Sequence, residues 1–194
     1  MFVGAYCSNE VIVSKIRNGL GEQFYYLQPS NPCLAIMEGG VLFGINPSII
    51  GIRISKYTIG LEINGIWNEE KHSKFGEKFL SKEENIYRCK NCFCKLIEIN
   101  QKLEYNKTIK YDDLSMLNPR TCNLPFYKSI KPNPIFTFEK GVEKILECEL
   151  NTGKDYPLGQ RNLIIELKFG GTYIDVKAIH EKSGKYIKVN LKYD

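Results

Sequence analysis

The sequence predicts an α/β segment followed by an all-β, antiparallel, sandwich-like domain. Two observations carry this. In the first fifty residues apolar side chains recur at helical spacing between helix-capping residues, whereas from Tyr57 onward the period shortens towards two and helix signals disappear. The change of period places the α/β segment at 1–51, a linker at 52–56 and the β domain at 57–194.

The elements follow in order. Phe2-Val3-Gly4 reads as a short strand, and Ser8 or Asn9 caps a helix with Glu10 in its first turn and Val11, Ile12, Ile16 and Leu20 as its buried stripe. Gly19 and Gly21 end that helix. Gln23 to Gln28, with Phe24, Tyr25, Tyr26 and Leu27, reads as a second strand. Pro29-Ser30-Asn31-Pro32 then turns the chain into a second helix from about Cys33 to Phe43, completing a βαβα unit. Each glycine of Gly39-Gly40 costs that helix about 1 kcal/mol relative to alanine, which points to tight packing against a sheet.

In the β domain, strands are predicted over Tyr57–Asn64, Phe93–Asn100, Ile135–Phe138, Ile145–Leu150, Leu163–Phe169, Tyr173–Ile179 and Tyr186–Tyr193. The clearest alternation puts Leu163, Ile165, Leu167 and Phe169 on one face, and Ile187, Val189, Leu191 and Tyr193 on one face of the final strand. Ser183-Gly184 makes the last two strands a hairpin. Prolines at 119, 125, 132 and 134 mark loops.

Composition narrows the function. Of 194 residues, 43% are hydrophobic and 25% charged, which excludes a disordered or collagen-like chain. The longest uncharged apolar stretch, Gly39 to Ile52, is interrupted by glycine, asparagine and proline and is shorter than the ~18 residues of a membrane helix. No basic n-region or cleavage pattern marks a signal peptide, so the expectation is a cytoplasmic protein without membrane contact. The net charge of +5 rests on scattered lysines interleaved with glutamates, with only five arginines, which reads as a solvated surface and not a nucleic-acid face. Seven cysteines without secretory context read as reduced thiols.

Few residues offer catalytic chemistry. His72 lies in a charged loop and His180 beside a turn, and both are read as exposed structural residues. Asp112-Asp113 reads as a turn. Cys89-Lys90-Asn91-Cys92-Phe93-Cys94 has the C-x-x-C spacing that lets two thiolates reach one Zn²⁺, but no second such pair follows. Cys122 and His72 could complete a site only through the tertiary fold. Cys89, Cys92 and Cys94 are therefore read as thiols entering a strand, with Cys92 and Cys94 on one face, and no metal is assigned. Val3-Gly4-Ala5-Tyr6-Cys7-Ser8 forms a strand, a small-residue turn and a helix start, an arrangement that admits a nucleotide close to the backbone. Neither G-x-x-x-x-G-K-[ST] nor G-x-G-x-x-G occurs.

The order of these pieces carries a resemblance. Val3 to Glu10, then Pro29 to Gly44 with "AIMEGGVLFG", then Asn46-Pro47-Ser48-Ile49-Ile50 and Arg53, resemble the end of the actin-like ATPase domain of the heat-shock protein 70 family. "AIMEGGVLFGINPSII" with Tyr57-Thr58-Ile59-Gly60 is similar to the divergent type-12 branch in particular. Leu163 to Ala178 and Lys182-Ser183-Gly184-Lys185 resemble the closing strands and turn of the family's substrate-binding β domain. The resemblance implies a partial chaperone-like protein: Gly4, Ala5 and Tyr6 beside the adenosine of ATP, and a lidless polypeptide-binding β domain. Ala5 stands where the family's second glycine lies, and Tyr6 is the aromatic typical of the type-12 branch. The family's phosphate loops, catalytic lysine and Mg²⁺ carboxylates precede this strand, so ATP or ADP with Mg is expected only together with those parts. Hydrolysis by this chain alone is not expected. Its expected partners are a polypeptide client and whatever associates with the exposed N-terminal segment. The alternative is a stand-alone β-rich protein-interaction module without nucleotide binding, and a third reading is a small zinc-binding protein using Cys89, Cys92 and Cys94.

Overall fold

The computed structural model describes residues 1–170 and 173–192, and divides into two units, Met1–Ile50 and Gly51–Asp194. Gly171, Thr172, Tyr193 and Asp194, among them the last residue of the predicted final strand, lie outside the described residues.

In the first unit the α1 helix spans Glu10–Leu20. Its cap is Asn9, whose side-chain oxygen accepts from the N–H groups of Val11 and Ile12 at 3.0 and 3.3 Å. Gly21, at φ 81°, ends it and donates to the Arg17 carbonyl, a conformation that favours glycine. The α2 helix spans Ala35–Ile45, two residues later than predicted. The predicted stripe is not buried: Val13 alone is buried in α1, nothing is buried in α2, and Val11, Ile16, Leu20, Ile36, Met37 and Val41 are exposed. A Cβ at Gly39 or Gly40 would meet nothing within 4 Å, so the expected close packing is absent in the described structure. The strands predicted at Phe2–Gly4 and Gln23–Gln28 are also not formed. Phe2 donates to the Leu27 carbonyl at 2.8 Å and Gly4 to that of Pro32 at 2.7 Å, and two such contacts are too few for a stable ladder.

The second unit is built of antiparallel sheets. The β1 strand, Ile52–Ile54, lies in the segment expected as a linker and pairs with β5, Lys102–Glu104, through cross-strand hydrogen bonds. The remaining strands are β2 (Thr58–Ile66), β3 (Lys78–Ser81), β4 (Ile86–Ile97), β6 (Thr108–Ser115), β7 (Thr121–Ser129), β8 (Val142–Asn151), β9 (Asn162–Phe169), β10 (Tyr173–His180) and β11 (Tyr186–Lys192). A short helix, α3 (Glu69–His72), interrupts the β2–β3 connection. One sheet has the order β3-β4-β2-β7-β8 and the other β11-β10-β9-β6.

The two larger sheets enclose one core. Ile59, Leu61, Leu96, Ile97 and Phe126 of the first join Leu163, Ile165, Leu167, Phe169 and Ile174 of the second in a single buried cluster. Period-two alternation produces this directly, since every second side chain of β9 points inward. The Tyr111 hydroxyl, donating to the Leu96 carbonyl, ties β6 to β4 across the core.

Three further expectations are corrected. Pro125 lies inside β7, opposite Glu147 of β8, and not in a loop; the rungs between β7 and β2 stop at Phe126, so the residue without an N–H sits where β7 has no β2 partner. Asp112-Asp113 lies in β6 at a register shift between Tyr111 and Leu114. Ile135–Phe138 is not a strand: it extends the edge of β4 through a bridge from Cys92 to Phe136 and a hydrogen bond from the Phe93 N–H to the Ile135 carbonyl at 2.8 Å. Among the described residues no helix is long and apolar enough to cross a membrane.

Candidate functional site

The sequence-predicted nucleotide turn is exposed. Gly4 has φ 97°, which disfavours any other residue, and a Cβ there would meet nothing within 4 Å. Ala5–Ser8 forms one 3-10 turn directly before α1, and Tyr6 is 80% exposed. Gly4, Ala5 and Tyr6 thus present backbone and one ring to open space.

The strongest convergence of chemistry lies in the second unit. Among the described residues, the ligand atoms of His72, Cys89 and Cys92 lie within 4.8 Å of one another, and all three residues are buried. His72 comes from the last position of α3, a helix capped by Asn68, whose side chain accepts from the Lys71 N–H at 3.0 Å. The two cysteines come from β4. Gly65 faces Cys89 and Ile63 faces Cys92, so three residue steps on β4 match two on β2, a bulge with Asn91 at φ 55°. That extra residue turns Cys89 and Cys92 to the same side, which plain alternation forbids.

Glycine makes room for the thiols. A Cβ at Gly76 would stand 2.7 Å from the Cys89 sulfur and 2.7 Å from the His72 carbonyl, and one at Gly65 would stand 3.2 Å from the Cys92 sulfur. The surroundings are apolar and aromatic: Ile63, Trp67 and Phe136 pack on the cysteines, and the His72 ring is 5.5 Å from Trp67 and 5.8 Å from Phe136. Burial, then hydrogen bonding with Cys92, pushes the Cys89 thiol up to about 11, so it is not an activated nucleophile at neutral pH. Burial, followed by the Lys71 charge, lowers the His72 imidazole below 6.5, keeping it neutral.

The His72 Nδ1 accepts from the Asn68 N–H at 3.0 Å, which leaves the ring proton on Nε2, 3.8 Å from the Cys92 sulfur. The thiols' other partners are main-chain carbonyls, Cys92 to Cys89 at 3.4 Å and Cys89 to Lys90 at 3.6 Å. The donor set suits a soft or borderline cation. Coordination through Nε2 moves the ring proton to Nδ1 and breaks the Asn68 contact, a loss of about 1–3 kcal/mol. Structural zinc sites contribute about 10–16 kcal/mol, so the loss does not decide the balance.

The histidine expectations are therefore corrected, since neither is exposed. His180 is fully buried, 4.5 Å from the Tyr156 ring, with Nε2 donating to the Gln160 carbonyl and Nδ1 bonded to the Ser183 hydroxyl, both at 2.8 Å. Its nitrogens are satisfied and it is structural. Cys92 and Cys94 do face the same way, opposite Ile63 and Leu61, but Cys94 packs into the main core. Cys122 is likewise outside the cluster, its thiol pushed up to about 11 by burial and by Cys148. The C-x-x-C spacing was a legible signal for Cys89 and Cys92; nothing local to His72 pointed to them.

No protein-family model matches the chain. The chain is 26% identical over 196 residues to heat shock 70 kDa protein 12A of Homo sapiens and 25% identical over 195 residues to the Mus musculus protein of that name. It is 22% identical over 201 residues to heat shock 70 kDa protein 12B of Homo sapiens. Each similarity covers 98% of this chain but only 28% or 29% of the relative, so the chain spans less than a third of the relatives' length, matching their C-terminal part.

Proposed function

We infer from its homology to heat shock 70 kDa proteins 12A and 12B that this chain is a chaperone-like portion of a heat-shock-70-type protein, pairing one wall of an ATP site with a polypeptide-binding β domain. The observation that carries this reading is the extent of the similarity, which runs through both units and covers 98% of the chain. In it, residues 1–51 are the end of an actin-like nucleotide-binding domain. Gly4, Ala5 and Tyr6 are its contribution to the adenosine pocket, and the positive φ and open surroundings of Gly4 support close approach of a ligand to that backbone. Phosphoryl transfer needs fixed phosphate and Mg²⁺ ligands, which this segment does not supply, so its role is binding and not hydrolysis.

In the β domain, β3, β8, β6 and β11 end their sheets, and such edges offer main-chain donors and acceptors to an extended segment. An open cleft of about 480 Å³ between the end of β8 and the β10–β11 turn, lined by Leu150, Lys185 and Tyr186 among others, supports a contact there.

The test is anisotropy titration of fluorescent apolar peptides against the full chain. Saturable binding that an unlabelled peptide of the same sequence displaces is the expected result. No binding up to millimolar peptide removes client binding from the reading.

A further inference from the structure

We propose that His72, Cys89 and Cys92 bind one zinc ion and that this ion pins the α3 connection to the β4 bulge. The site is independent of nucleotide and client binding. α3 and β4 meet there through two thiols, one imidazole and the rings of Trp67 and Phe136, while main-chain bonds from Trp67 to the Tyr87 carbonyl at 2.9 Å and from Lys90 to the Glu77 carbonyl at 3.1 Å hold only the flanks of α3.

Geometry supports it first. With Zn–S near 2.3 Å and Zn–N near 2.0–2.1 Å, tetrahedral ligand atoms stand about 3.5–3.8 Å apart. The Cys92 sulfur and His72 Nε2 are 3.8 Å apart already, and no pair in the trio exceeds 4.8 Å. Closing the remainder takes small side-chain rotations. The built space is specific as well, since a Cβ at Gly76 or Gly65 would press on the sulfurs.

Charge supports it second. Each thiol gives up its proton on binding, two protons leave to solvent, and the two thiolates with one neutral imidazole cancel the dication. A neutral complex is what this aromatic, apolar shell accepts. Among the described residues no fourth His, Cys, Asp or Glu joins the cluster, so the fourth position takes a water. The thiols' bonds to carbonyls at 3.4 and 3.6 Å are weak and are given up readily.

The test uses the full chain, incubated with zinc and freed of loose ion with a weak chelator, with bound metal read by native mass spectrometry. One zinc per chain is expected, and Co²⁺ in its place gives a thiolate-to-cobalt charge-transfer band. His72→Gln and Cys92→Ser lose stoichiometric zinc, while Cys33→Ser, an exposed thiol outside the cluster, keeps it. Two further readouts hold even if Cys92→Ser fails to fold. In wild-type protein the ¹⁵N shifts of His72 move to the Nδ1–H tautomer on loading, and Asn68 loses amide protection. Absence of bound zinc in the wild type, a cobalt complex without the charge-transfer band, or zinc retained by His72→Gln each overturns the proposal.

Discussion

The Cys92 sulfur lies 3.8 Å from Nε2 of His72, twenty residues earlier in the chain. This pairing depends on a bulge in β4 and on a one-turn helix that folds back over it, and it defines the most chemically distinctive point of the β domain. Other buried polar contacts and close approaches of the second unit give measurable expectations.

Arg161 is 4% exposed and donates to the carbonyls of Tyr156 at 2.7 Å and Leu117 at 2.9 Å, and to the Glu83 carboxylate at 2.6 Å. Arg161→Met leaves two carbonyls unpaired, and its expected loss is about 2–4 kcal/mol in urea unfolding. Glu83→Gln, whose partner keeps both carbonyls, loses less than half as much because Glu83 is largely exposed.

Gly60 has no space for a larger residue: a Cβ there would run into the Phe93 ring and the Cys94 carbonyl. Gly60→Ala is expected to destabilise the chain by about 1–3 kcal/mol through displacement of β4. Gly39→Ala, with nothing within 4 Å, is expected to stabilise α2 by about 0.5–1 kcal/mol. Paired thermal melts of the two variants check the contrast.

Arg88 grips Glu84 through both nitrogens, Nε to Oε2 and Nη2 to Oε1 at 2.6 Å each, and this hydrogen bonding holds the carboxyl below its ordinary 4.5. Below pH 4.5 the unfolded chain therefore binds the proton more readily than the folded one. The contribution is complete above that pH and is lost as pH falls through the lowered folded value. Urea midpoints between pH 7 and pH 3 are expected to fall at the acid end, with a shallower acid slope in Glu84→Gln.

The first unit buries almost none of its apolar helix surface, whereas the second surrounds Phe126, Ile165 and Leu191 completely. Hydrogen exchange is expected to run much faster in α1 and α2 than in β2, β9 and β10. The bare faces of Val11, Ile36 and Val41 also favour association, so sedimentation at rising concentration is expected to show oligomers that removal of residues 1–50 abolishes.

The sequence by itself determined the elements whose signals are local. Asn9 and Gly21 bound α1 because a cap and a left-handed glycine act within one turn, and Leu163 to Phe169 alternate into the core because strand geometry alone sends every second side chain inward. The β10–β11 hairpin was legible for the same reason, with Gly184 at φ 69° in its turn. Only the tertiary structure decided the rest. Pro125 reads as a loop residue until β7 is seen to pair with β2 only from Phe126 onward. His72 reads as exposed until α3 folds it under Trp67 and against Phe136, 64 positions later in the chain and in a segment with no strand of its own. Cys89 and Cys92 share a side because one unpaired residue in β4 reverses the alternation, and a bulge is set by the register of two strands, which no single stretch of sequence specifies.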